Sequence, residues 1–229
     1  MKTHTLILSC EHAVNHIPSA YQYLFHQNTA ILHSHRAIDF GAQRIAQQFS
    51  KAFGCPLVEA TTSRLLIDCN RTLTHPHCFS EFTKTLSEDE KKKIIAEYYQ
   101  PYRQQVTSLI KNSIQQGTPV IHLSIHSFTP ELNNKVRNAD IGFLYDPSRA
   151  GEKQIAIQWR KRILEKSNDY RVRLNYPYRG ISDGFVSALR KSYSEHQYLG
   201  LEIESNQARL LNIEAQDALG QLLISCFEI

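Results

Sequence analysis

This chain predicts a three-layer α/β fold, with a mixed, mostly parallel central sheet and helices on both faces. Three observations carry the prediction. Short apolar segments alternate with amphipathic ones along the whole chain. Polar residues able to do chemistry stand directly after the apolar segments, where open α/β sheets keep their sites. The 229 residues, 41% hydrophobic and 21% charged, suffice for a single domain over residues 1–229, burying about 70% of the unfolded surface without a staple.

The elements follow in order. Leu6–Ser9 reads as a buried first strand, and Ile38–Phe53 as a helix with Phe40, Ile45, Ala46, Phe49 and Phe53 on one face and a stop at Gly54. Pro56–Glu59 and Leu65–Ile67 are short strand candidates. Ser87-Glu88-Asp89-Glu90 is a capping box, and the apolar stripe from Ile94 to Ile114 then runs to Gly117. Pro101 inside that helix predicts a kink or short break. Val120–Ile125 and Ile141–Tyr145 are strands, Glu152–Lys166 a helix, Val172–Leu174 a strand, and 175–180 a loop. A helix over Asp183–Tyr193, a strand over Leu199–Ile203 and a closing helix over Ile213–Phe227 complete the pattern.

Composition excludes several classes. No apolar run approaches the ~18–20 residues of a membrane span. The stretch after Met1-Lys2-Thr3-His4 is too short for a signal peptide, so the expected location is the cytoplasm. Five cysteines, at 10, 55, 69, 78 and 226, form no CxxC pair, which argues against a disulfide framework or a zinc knuckle. The net charge of +4 is spread along the chain; without a basic stripe interleaved with aromatics, no nucleic-acid partner is expected. A small anionic substrate suits that balance. Homo-oligomerisation stays open.

Four strand-end places stand out. The first strand runs into Glu11-His12-Ala13-Val14-Asn15-His16, where imidazole and carboxylate suit zinc, although a lone His is more often a turn residue. His122, Ser124 and His126 share one face of the central strand by its period of two. Arg64 and Arg71 bracket Leu65–Ile67, and an Arg fork beside the Asn70 amide recognises a carboxylate; a surface ion pair with Asp68 is the plain alternative. Glu202 and Glu204 point to one face of the last strand; either is a candidate base, and a solvent-facing edge reads the same way. Asp39 is equally a ligand or a helix N-cap. His33/His35 and His75/His77 read as loop or surface. Ser124 and Ser127 flank His126, but no Gly-x-Ser-x-Gly elbow is present, and neither a dinucleotide fingerprint nor a P-loop occurs.

The order of these segments resembles the N-formylglutamate amidohydrolase family, of zinc carboxypeptidase-like architecture. The resemblance rests on Cys10-Glu11-His12-Ala13-Val14-Asn15, Asp39-Phe40-Gly41-Ala42, Ser63–Arg71, His126-Ser127-Phe128-Thr129-Pro130, Arg137 with Ile141–Asp146, Asn175–Gly180 and Leu201-Glu202-Ile203. It implies a phosphorylase/hydrolase-like fold and hydrolysis of an N-acyl amino acid such as N-formyl-L-glutamate, with one zinc ion. His12 and His126 match the metal-binding histidines and Glu202 the general base, while Arg64, Asn70 and Arg71 match the segment that grips the substrate carboxylate. Arg64 is further expected to act on the developing oxyanion, and Arg137 and Tyr178 to contact substrate. Carboxypeptidases place a glutamate ligand three residues after the first histidine, and here that position is Asn15. The third ligand is therefore open among Asp39, Glu11 and Asn15. Two further readings stand beside this one: a carboxypeptidase or amidase acting on peptide or cell-wall fragments, and a non-catalytic binder of a small anion.

Overall fold

The computed structural model describes residues 4–228; the Met1-Lys2-Thr3 start lies outside them. Among the described residues eight strands are formed: β1 (Thr5–Cys10), β2 (Leu57–Glu59), β3 (Val120–Phe128), β4 (Glu131–Leu132), β5 (Lys135–Val136), β6 (Ile141–Leu144), β7 (Val172–Leu174) and β8 (Tyr198–Asn206). The α-helices are α1 (Ala42–Phe53), α2 (Glu88–Ile94), α3 (Gln100–Gln115), α4 (Ala150–Lys166), α5 (Phe185–Ser192) and α6 (Ile213–Cys226).

Six strands make one sheet in the order β2-β1-β3-β8-β6-β7. The first four run parallel, and β6 meets β8 antiparallel with β7 parallel to β6. The mixed, mostly parallel sheet is thus the expected one. Every residue of β3 and β8 is buried, because helices cover both faces. On one face, Ile121, Leu123, Leu201 and Ile203 pack against Ile45, Phe49, Trp159 and Leu223 of α1, α4 and α6. On the other, Ile7 and Tyr198 meet Ile94, Tyr102, Val106 and Phe185 of α2, α3 and α5.

Several expectations need correction. Leu65–Ile67 forms no strand: Leu66 N–H donates to Ser63 O, and Ser63 Oγ accepts from Leu65 N–H, folding Arg64–Leu66 into a buried turn. The apolar triplet reflects burial, not extension. The helix expected from Asp183 begins at Phe185; Asn70 Oδ1 accepts from Phe185 N–H, and Asp183 turns back to accept from Thr72 N–H. α1 begins at Ala42, after Gly41 at φ +78°. The break expected at Pro101 takes the form of a widened turn rather than a gap in the helix. Pro101 falls in the first turn of α3, directly after a π-helical segment (Ile95–Tyr99) that links α2 to α3, and the widened turn absorbs the missing donor.

Candidate active site

β1, β3 and β8 are adjacent and parallel, so their carboxyl ends open into one crevice. β1 delivers Glu11 and His12 just past Cys10. The register sets His126 beside Glu204 and Ser124 beside Glu202 on one sheet face. Asp39 arrives from the turn before α1, where its N–H donates to His12 O and its own carbonyl accepts from Ala42 N–H. Because Gly41 holds the N-cap position, the Asp39 carboxylate caps nothing and points into the crevice.

His12, Asp39 and His126 converge there, each buried, with one candidate ligand atom apiece within 4.8 Å of the others. His12 Nδ1 and His126 Nδ1 lie 3.1 and 2.9 Å from the same Asp39 Oδ2. The opposite ring nitrogens are held by groups that accept. His12 Nε2–H donates to Asp68 Oδ1 at 2.8 Å, and His126 Nε2–H donates to Ser124 Oγ at 2.8 Å, with Glu11 Oε2 at 3.2 Å. Because each Nε2 faces an acceptor, a bound cation would leave the proton on Nε2 of both rings and meet both Nδ1 atoms, which without it donate to or share a proton with Asp39 Oδ2. Two imidazoles, one carboxylate and a backing carboxylate for each ring are the donor set of a catalytic zinc site with an open position. The residues fit the ion.

A buried hydrogen-bond chain stands behind His126. Tyr198 O–H donates to His122 Nδ1, His122 Nε2–H to Ser9 Oγ, and Ser9 Oγ–H to Glu11 Oε1. Ser124 Oγ–H donates to Glu11 Oε2 at 2.6 Å. That hydroxyl is buried and committed, which disposes of Ser124 as a nucleophile. Asn15 has another partner, its Nδ2 donating to Leu32 O at 2.8 Å.

The charges are strongly organised. Burial alone would raise the Glu11 carboxyl, but the hydrogen bond and charge of His126 hold it well below the usual range. Burial opposes ionisation of Asp39 and Asp68 too; His12 with Arg64 overcomes it in both, and His126 adds to the effect on Asp39. Burial would lower His126, yet the Asp39 and Glu11 carboxylates push it well up. Glu202 and Glu204 shift the other way. Burial raises both, and the Asp39 and Glu202 charges help push Glu204 to about 8 against the pull of His126. Glu204 Oε2 is buried with no partner among the described residues.

Cations ring the site. Arg64 donates to Asp68 Oδ2 at 3.0 Å and reaches Asp39 Oδ1 at 3.4 Å. Arg71 donates to Asp183 O. Asn70, Arg71, Arg179, Glu202 and Glu204 line an inner chamber of about 260 Å³ with the three converging residues. Arg179 lies in the Asn175–Gly180 loop, a segment that carries the family resemblance, but the sequence alone assigns it no role. That loop lies flush on β6: a Cβ on Gly142 would sit 1.9 Å from Tyr176 O, and one on Gly180 2.3 Å from Tyr145 N. Asn175 Oδ1 accepts from Tyr145 N–H and Gly180 N–H, closing the loop so that Tyr178 faces the chamber. Arg137 stands behind it, its guanidinium 4.9 Å from the Tyr178 ring and 5.8 Å from that of Phe128, with Nη1 buried and unpartnered among the described residues. An outer chamber of about 720 Å³ adjoins the inner one, and His35 and His77, read as surface from sequence, line it.

Fold and site together define an amidohydrolase. Residues 4–211 match the model of the N-formylglutamate amidohydrolase family, and the chain belongs to that family. Among solved structures, it is similar to a gene product of Agrobacterium tumefaciens, with 26% identity and a TM-score of 0.80 over 98% of this chain and 89% of the other. It is also similar in fold to the N-formylglutamate amidohydrolase of Ralstonia eutropha, with 18% identity and a TM-score of 0.68 over 98% and 93%. A comparison of the sequence with curated proteins returns no match. Among the described residues, no helix is long and apolar enough to cross a membrane.

Proposed function

We propose that the protein is a metal-dependent hydrolase of N-acyl amino acids of the N-formyl-L-glutamate type, with one zinc ion held by His12, Asp39 and His126. The observation that carries this reading is the convergence of three ligand atoms at the floor of a chamber that also holds Glu202 and several guanidinium groups. The ion, when bound, would lower the pKa of water toward neutrality and polarise the amide carbonyl.

The chain's own residues supply the rest. Glu202 takes a proton from water and passes it to the leaving nitrogen. Burial with the Asp39 and Glu202 charges pushes Glu204 up to about 8, which makes it the harder of the two carboxyls to ionise and leaves Glu202 as the better base. Arg64, fixed by two aspartates, donates to the developing oxyanion. Arg71, Arg179 and the Asn70 amide hold the carboxylates of the amino acid and orient the scissile bond. Tyr178 covers them, with Arg137 stacked behind it. The balance is one amide and one water giving one carboxylate and one ammonium group.

The test is to incubate purified, zinc-loaded protein with N-formyl-L-glutamate and measure formate. Release at a catalytic rate, abolished together with metal content in His126→Ala, is the expected result. No release from this or any other N-acyl amino acid overturns the proposal.

A further inference from the structure

We propose that the outer chamber is an acyl subsite, and that the preferred substrate carries a bulky apolar acyl group, aromatic or several carbons long, in place of formyl. This inference rests on the hydrolase reading above and names its substrate class.

The two chambers differ in chemistry. Apart from Leu144, the inner one is lined by polar side chains and tyrosine, and it holds Asn70 and Arg179, which the outer one lacks. Phe79, Phe128, Leu132, Pro76 and Leu65 line the outer chamber. Beyond the shared Arg64 and Arg71 it holds Arg36, which is ion-paired with Glu81, and one lysine, Lys84. Arg71, Arg179 and the Asn70 amide, gathered in a chamber with almost no apolar wall, suit the amino-acid carboxylates, and the apolar side chains of the outer chamber suit an acyl group.

The chambers meet where the reaction would occur. Asp39, Arg64, Arg71, Ser127 and Tyr178 line both. A substrate with its carboxylates on Arg71 and Arg179 and its amide at Asp39 must direct its acyl group into the outer space. Ligand pockets of drug-like size run about 300–1,000 Å³, so at about 720 Å³ the outer chamber is a full binding site by itself. A formyl group, one carbon and one oxygen, would touch almost none of its wall and leave the Phe79 and Leu132 faces to water.

The closing experiment compares N-formyl-, N-hexanoyl- and N-phenylacetyl-L-glutamate on the zinc-loaded protein by kcat/KM, and on the metal-free protein by calorimetry. In an apolar pocket each methylene is worth tenfold or more, so the phenylacetyl and hexanoyl compounds should exceed the formyl one by at least about tenfold. Phe79→Ala and Leu132→Ala should shrink that ratio about tenfold each. Turnover of the formyl compound as good as or better than the others overturns the subsite and leaves the hydrolase reading standing. Absence of any turnover, with tighter phenylacetyl binding that depends on Phe79 and Leu132, overturns the hydrolase reading and keeps the subsite. Equal binding of all three compounds with no turnover overturns both.

Discussion

Replacing Glu11 by glutamine keeps the side-chain shape but removes the charge behind His126. The Glu11 carboxylate accepts from Ser9 Oγ–H at 2.8 Å and Ser124 Oγ–H at 2.6 Å, and lies 3.2 Å from His126 Nε2. It is almost wholly buried, so solvent does not screen it. A hydrogen bond involving a charged group contributes about 1.5–3 kcal/mol, equivalent to roughly 10–150-fold in an equilibrium constant. Removing a carboxylate that backs a metal-bound imidazole costs about 10–100-fold in affinity or activity by direct precedent. The two estimates agree. Glu11→Gln should therefore weaken zinc binding about 10–100-fold, measured by competition with a chromophoric chelator at pH 7.5, while circular dichroism stays that of the parent. An affinity within twofold of the parent would refute the idea that Glu11 tunes His126.

Other outcomes follow from the same geometry. Glu202→Gln should leave zinc bound but remove most of kcat, whereas Glu204→Gln, which imitates the protonated carboxyl, should keep most of it at neutral pH; the reverse order in steady-state kinetics would exchange their roles. His122, which burial lowers to about 4, is neutral in the fold and titrates near 6.5 when unfolded. Its contribution, on the order of 3 kcal/mol, is full above about pH 6.5 and lost as pH falls toward about 4; denaturant melts of His122→Gln should show a flatter pH dependence in that window. Gly142→Ala drives a methyl into Tyr176 O and should destabilise by roughly 2 kcal/mol or more, with the Tyr178 loop opening to protease before the core does.

Much of this was legible in the chain. Apolar runs that break at His12 and His126 point to the carboxyl side of the sheet, although β3 continues through His126 to Phe128, and the parallel pairing of β1 with β3 brings the two rings to a centroid distance of 5.1 Å. Asp39 was ambiguous because an aspartate before a helix has the pattern of a cap; only the left-handed Gly41 frees it. Glu202 and Glu204 alternate with apolar residues as a solvent edge would, yet β8 lies between β3 and β6 and both carboxyls are buried. The supporting part of Glu11 depends on β1–β3 register, which sets Ser9 beside Ser124, and no single segment contains it. The outer chamber draws on turns around His35, His77 and Leu132, far apart in the chain and without periodicity. Leu65–Ile67 misled because burial and extension select the same residue types.

The central claim is one metal ion held by two imidazoles from neighbouring strands and the carboxylate ahead of α1. A crystal grown with zinc, measured at the zinc absorption edge, tests it most directly. The account predicts a single anomalous peak within about 2.0–2.2 Å of His12 Nδ1, His126 Nδ1 and an Asp39 carboxylate oxygen. A peak at His75 and His77 instead, or none at this crevice, would contradict it.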